Sequence, residues 1–167
     1  MPENLYNSVT EPSDIPDKLK VPEGNVLLLR AYGKGVQKYA CPVSATSKAV
    51  PHAILLKDDR DEGDLVAIHF GGPTWEALDG SSVVGDTDPM TLHSAPAPDA
   101  DGVPWLRLTA KSHGGNGLLS RVTYIQRLYT DGGNPPAEGC DQADNQTEVL
   151  VEYSAQYFFY GSSTGQQ

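Results

Sequence analysis

The chain has 167 residues and a mass of 17.9 kDa, the size of a single domain built around one core. Its 22 acidic residues outweigh 12 basic ones, giving a net charge of -10 and a pI near 4.6. An acidic chain without a local Lys/Arg cluster repels phosphates, which argues against a nucleic-acid partner, and no apolar run approaches the ~20 residues of a membrane-spanning helix.

With 17 Gly and 13 Pro, the composition suits a loop-rich β protein better than a helical one. Residues 1–20 are polar and punctuated by prolines, and they read as an extended arm, frayed at its start. Residues 25–32 (NVLLLRAY) predict a buried strand, and Gly33-Lys34-Gly35 a tight turn or bulge before residues 36–43 (VQKYACPV) return. Residues 52–57 and 65–70 flank the acidic segment DDRDEGD, the pattern of a β-hairpin with a solvated tip. Residues 69–85 (HFGGPTWEALDGSSVVG) then form one irregular turn region that ends in a short strand at 82–85.

Further on, Trp105, Arg107 and Thr109 alternate with Leu106, Leu108 and Ala110 in a period of two. A glycine loop at 113–117 separates that strand from another at 118–130 (LLSRVTYIQRLYT). The last strand, 148–160, places Val149, Val151, Tyr153, Ala155, Tyr157 and Phe159 on one face. No 3.6-residue period persists for three turns. Seven to nine strands with turn signals between them predict an all-β fold. It is an antiparallel sandwich or barrel with long Gly/Pro-rich loops, a single domain over residues 21–161 with a flexible tail at 162–167.

Two cysteines bear on the compartment. Cys140 lies in a Gly/Pro-rich loop, an odd place for a free thiol, and a bond to Cys41 would close a loop of roughly 100 residues. Such a disulfide favours an oxidising compartment. The first residues lack the basic and apolar segments of a secretion leader, so a secreted protein would have lost its leader already. Asn145-Gln146-Thr147 is a glycosylation sequon in a polar loop.

With these segments in view, the chain resembles a domain-of-unknown-function family of small, mostly secreted fungal and bacterial proteins, some labelled malate dehydrogenase-like. The segments that carry the resemblance include IPDKLKVPEGN, GKGVQKYAC, HFGGPTWEALDGSSVVG, VPWLRL, LLSRVTYIQRLYTDGG, the PP…GCD loop and VEYSAQYFFY, spanning about residues 15–160. The chain departs from it in lacking the usual leader, and in PVSATSKAVPHA after Cys41, where a Trp often stands. The resemblance implies a β-rich secreted domain and carries no activity. The dehydrogenase label fails on the residues themselves. Gly33-x-Gly35 is followed by Lys38 where the third glycine of a nucleotide-binding turn belongs, and no alternating helices are present to build a parallel sheet.

Other chemistry is weak. His113-Gly114-Gly115-Asn116-Gly117 resembles an oxyanion loop and Gly161-Ser162-Ser163-Thr164-Gly165 a nucleophile elbow, but no helix, acid or histidine follows Ser163. His52, His69, His93 and His113 lack the short ligand spacing of a zinc site, so neither metal nor cofactor is expected. An inward Gln126 or Arg127 in VTYIQRLYT could bind a ligand or satisfy buried carbonyls. The central stretch offers more. If Val66, Ile68 and Phe70 fill the core, His69 stands at a strand end near Trp75, Glu76, Asp79 and Ser81.

That group suits a sugar, with Trp75 as stacking platform and the polar side chains as hydrogen-bonding partners. The expectation is therefore a non-enzymatic extracellular recognition protein for carbohydrate or a cell-surface glycoconjugate. One alternative is a small hydrolase centred on His69, Glu76 and Asp79. Another is a structural or host-interacting secreted protein with no small-molecule site. Oligomeric state does not follow from the sequence.

Overall fold

A computed structural model describes residues 10–137, Cys140 and 147–164. Nine strands run β1 (Asn25–Ala40), β2 (Val50–Lys57), β3 (Leu65–Phe70), β4 (Thr74–Ala77), β5 (Ser82–Gly85), β6 (His93–Ala95), β7 (Trp105–Gly114), β8 (Val122–Gly132) and β9 (Glu148–Ser162). They form one antiparallel sheet in the order β5-β4-β3-β2-β1-β9-β8-β7-β6, and a further pairing of β5 with β7 closes it. The result is an eight-stranded barrel with β6 as an extra strand on β7. Closure removes the exposed edges that an open sheet would leave, which decides between the sandwich and the barrel. Among the described residues no helix is long and apolar enough to cross a membrane.

The expected turn at Gly33-Lys34-Gly35 does not form. β1 runs straight through it as a 16-residue strand, and the bulge lies between Leu27 and Leu29 instead. The glycines serve close approach. A Cβ on Gly33 would lie 2.6 Å from the Tyr157 ring, and one on Gly35 would meet the His52 carbonyl and lie 2.6 Å from Ala53 Cα. Glycine in mid-strand therefore marks where ring and backbone press against β1 rather than where the chain reverses.

Two other segments are more regular than their composition suggests. The central stretch contains a strand of its own, β4, and β7 runs on to Gly114, so His113 belongs to a strand. Residues 118–121, by contrast, make a single 3-10 turn before β8 begins at Val122. The hairpin with the acidic tip forms as expected, Ala53 pairing with His69 and Ile54 with Ile68.

Two apolar clusters divide the interior from an outer layer. Inside the barrel lie Leu55, Trp75, Val83, Leu108, Ile125, Tyr157 and Phe159, among others. Outside, Ile15, Leu19, Ala95, Trp105, Leu128, Phe158 and Tyr160 form a second cluster over β7–β9. β9 is buried on both faces there because part of the polar arm folds back as a cover. Leu19 is fully buried on a 3-10 turn at Asp17–Leu19, its carbonyl accepting from Gln126 Nε2 at 2.8 Å. Residues 15–19 are thus part of the packed body.

At one end of the barrel, Cys41 follows β1 and is bonded to Cys140, Cα to Cα 5.6 Å, across 99 residues. In the chain-entropy model a loop of this length contributes about 4–5 kcal/mol. Asn145 lies outside the described residues, as do 165–167 of the expected tail, while β9 already includes Ser162.

Gly35→Ala tests the close approach. The added methyl meets backbone, which cannot rotate away, so β1 and β2 must separate locally. The urea midpoint should fall by the equivalent of about 3 kcal/mol, the upper part of the overpacking range, against little change for an exposed substitution such as Lys57→Ala.

Candidate functional site

The strand that carries His69 faces opposite to expectation. Ala67 and His69 point into the barrel, while Ile68 lies outside at 41% exposure. A period of two defines the two faces of a strand but not which one is inside. Here Ala67 leaves room for the rings that fill the interior, and a bulge between Leu55 and Leu56 turns Leu65 out to solvent.

His69 and Trp75 are cross-strand partners on β3 and β4, and their rings stack at 4.3 Å with only 9° between planes. Tyr157 and Phe159 meet the indole edge-on at 5.7 and 5.9 Å. Trp75 is 1% exposed, so its faces are spent on the core and are not open to a sugar ring. The stacking platform expected at Trp75 does not exist.

His69 Nδ1 lies 2.8 Å from the Thr74 carbonyl oxygen, which can only accept, so Nδ1 carries the proton and Nε2 is left as an acceptor. Burial pushes its pKa down to about 3, against a smaller upward pull from the Thr74 carbonyl and further downward pushes from the charge of Arg127 and from His52. It is a neutral imidazole at physiological pH.

The carboxylates expected beside it are elsewhere. Glu76 points outward on β4, opposite Ile68 and exposed. Asp79 sits at the far end of the barrel, where its Oδ1 accepts from Ser81 N at 2.9 Å and Ser81 Oγ at 2.6 Å. Its Oδ2 accepts from Leu118 N at 2.9 Å. The Ser81 hydroxyl, then the Leu118 and Ser81 amides, hold the Asp79 carboxyl below the usual range. Ser81 is fully buried and its Oγ also accepts from Leu119 N. Asp79-Gly80-Ser81 is therefore a turn clamped to the 3-10 turn at 118–121, and Gly117 lacks the side chain that would collide with the Asp79 carboxylate. His69, Glu76 and Asp79 do not converge, and the hydrolase arrangement built on them is not assembled.

The opposite end is hollow. A cavity of about 550 Å3 opens among the end of β1, the loop 45–51, the turn 71–73, the start of β7 and residues 134–135 after β8, with His69, Trp75 and Tyr157 in its wall. This volume lies within the usual range for small-molecule sites. Leu106, Leu108 and Ile125 provide apolar wall, and Arg127 reaches in from β8. Arg127 Nε and Nη2 donate to the Pro104 carbonyl at 3.1 and 2.7 Å. Tyr157 hydrogen-bonds through its hydroxyl to that of Tyr153 at 2.9 Å. Burial pushes both phenols up, and the charge of Arg127 pulls each of them part of the way back.

Gln126 and Arg127, adjacent in sequence, thus take opposite roles. Gln126 faces the outer layer, accepting from Tyr160 Oη at 2.9 Å as well as donating to Leu19. Arg127 faces the cavity. Tyr129, two residues after Arg127, adopts φ 52° beside the bulge after Leu128 and packs outward on Trp105. Among the described residues, no group of three or more His, Cys, Asp or Glu could hold a metal. His113 donates through Nε2 to the Val122 carbonyl at 2.6 Å, a role in the strand framework. Ser163 donates from its amide and hydroxyl to the Gly24 carbonyl.

The family described as "Protein of unknown function (DUF3455)" matches residues 55–161, from within β2 to the last residue but one of β9. The chain belongs to this family. No curated protein and no solved structure matches it. The DUF3455 segment includes His69, Trp75, Arg127 and Tyr157, and leaves the cavity-lining residues of β1 and the loop 45–51 outside the match.

Two measurements check the core assignment. Trp75→Ala should destabilise the fold by about 3–5 kcal/mol through lost burial and the hole left behind. Trp75→Phe should cost less than half of that in the same denaturant titration, because the indole Nε1 is buried without a partner and its removal relieves a desolvated donor.

His69 predicts a pH dependence. Its folded pKa is depressed, so between 6.5 and about 3 the unfolded chain binds a proton that the folded chain refuses. Its contribution to stability is complete above the unfolded value and is lost as pH falls through that window, at about 1.4 kcal/mol per pH unit. Chemical denaturation of His69→Gln at several pH values should show a shallower acid-side slope than the parent by that amount. Equal slopes would mean that His69 is not buried in neutral form.

Proposed function

We propose that the protein is a non-enzymatic extracellular recognition protein that holds a small molecule in the mouth of its barrel. The observation that carries this reading is the cavity of about 550 Å3, apolar over much of its wall and carrying a few polar groups that point inward. Binding is favoured over catalysis because the histidine in the wall is a poor base. Its Nδ1 is committed to the Thr74 carbonyl and its pKa is pushed down to about 3. The Cys41–Cys140 disulfide supports an extracellular setting, since such bonds persist where the surroundings are oxidising. A carbohydrate ligand, with Trp75 in the core, would have to be gripped by the polar groups of the cavity wall rather than stacked on the indole.

A neutral solvatochromic dye such as Nile red reports on the site directly. It should bind the native protein with one dye per chain. Leu106→Trp, which fills the cavity from β7, should weaken it by about tenfold, the cost of excluding a ring from an apolar pocket. The far-UV spectrum and melting temperature of the variant should match the parent. Oligosaccharides run as competitors identify a sugar ligand if they displace the dye. A dye that does not bind, or binds the variant equally, would leave a structural or host-interacting role as the reading.

A further inference from the structure

The cavity differs in charge from the molecule that contains it. The chain carries a net charge of -10, yet among the described residues lining the cavity none is an Asp or a Glu, while Arg127 and Lys48 both are among them. The acidic hairpin tip, with Asp58, Asp59, Asp61, Glu62 and Asp64, lies at the other end of the barrel, where Asp59 and Asp61 pair with Arg30 and Lys34. Among the described residues, no ion pair engages Arg127 or Lys48.

Arg127 is held rather than loose. Nε and Nη2 share the Pro104 carbonyl oxygen, and β8 fixes the stem by pairing Arg127 with Leu106 and with Tyr157. A guanidinium has five N–H donors in a rigid fork. Tethering one edge to the Pro104 carbonyl, with a further side-chain contact to the Tyr157 hydroxyl, still leaves N–H donors on the terminal nitrogens for an acceptor from solution. A cation partly withdrawn from water and lacking a carboxylate partner is costly to keep, and an anion supplied from solution offsets that cost. Below the guanidinium the wall turns apolar, through Leu106, Leu108 and Ile125 to the Trp75–Tyr157 rings.

We propose that the ligand of the cavity is an amphipathic carboxylate, whose anionic group is bound by Arg127 with Lys48 at the rim and whose apolar body enters the barrel. This rests on the binding function proposed above and names its ligand class. The carboxylate is preferred over bulkier anions because its two coplanar oxygens can accept from the N–H donors that Pro104 leaves, and the apolar body because most of the inner wall is apolar.

Isothermal titration of the disulfide-intact protein with decanoate and naphthoate tests this against their neutral and cationic counterparts, decanol, naphthylmethanol and decylamine. At least one carboxylate should bind about tenfold or more tightly than its alcohol, the scale of one charge-assisted contact, and the amine should not bind. Arg127→Gln should remove the preference of carboxylate over alcohol while leaving the alcohol's affinity in place. Lys48→Gln, an exposed change that does not touch the core, should weaken the carboxylate alone by a few-fold and make its binding less sensitive to salt. Should Arg127→Gln fail to fold, the ligand series on the parent protein together with Lys48→Gln still decides. Alcohols that bind as well as their acids would overturn the anionic ligand while upholding a binding cavity. Nile red bound with no probe of either series bound would overturn this inference alone, and neither dye nor probe bound would overturn the binding function with it.

Discussion

An eight-stranded barrel has an interior just wide enough for side chains to fill, so its function depends on how completely they do so. Here Trp75 and His69 lie flat against each other with Tyr157 and Phe159 edge-on, and this ring cluster plugs the middle of the barrel. Small residues on neighbouring strands make the room. Gly33 admits the Tyr157 ring, Gly85 packs against the indole, and Ala67 lies one pair from the stack. Beyond the plug on one side the interior packs against the 3-10 turn at 118–121, and on the other it opens into the cavity.

The same cluster explains the chemistry of His69. A histidine chosen for shape and stacking inside an apolar barrel loses its charge, because the imidazolium would have to be desolvated beside the cation of Arg127. The residue that looked most catalytic is therefore an uncharged wall element. The charge nearest the ring cluster belongs to Arg127, which keeps it because a guanidinium does not give up its proton at any ordinary pH.

The two ends of the barrel are held differently. Asp79 closes the far end with three hydrogen bonds, two to Ser81 and one to the Leu118 amide. At the mouth, the disulfide joins the end of β1 to the segment before β9, while the amide of Cys41 donates to the Thr147 carbonyl at 2.9 Å. A covalent tie there restrains the loops around the opening without filling it. The outer layer over β7–β9, with the arm residues Ile15 and Leu19, does comparable work for the far side of the sheet, and leaves the interior face of those strands to the cavity.

Local information in the chain was sufficient for much of this. Alternation, turn residues and the absence of a helical period determine the strands at 52–57, 65–70, 82–85 and 148–160, the all-β class and the acidic hairpin tip, because each depends on residues within a few positions of one another. The pairing of Cys41 with Cys140 also followed, since only two cysteines exist. Contacts between distant strands decided the rest. Gly33 and Gly35 read equally well as a turn or as a point of close approach until Tyr157 and Ala53 are seen against them. His69 and Ile68 exchange inside for outside because a period of two is symmetric between faces, and only closure of β5 on β7 says which face is enclosed. Arg127 could equally have been satisfying a carbonyl or facing a ligand. It does the first at Pro104 and, through the hollow that the folded barrel leaves in front of it, is positioned for the second.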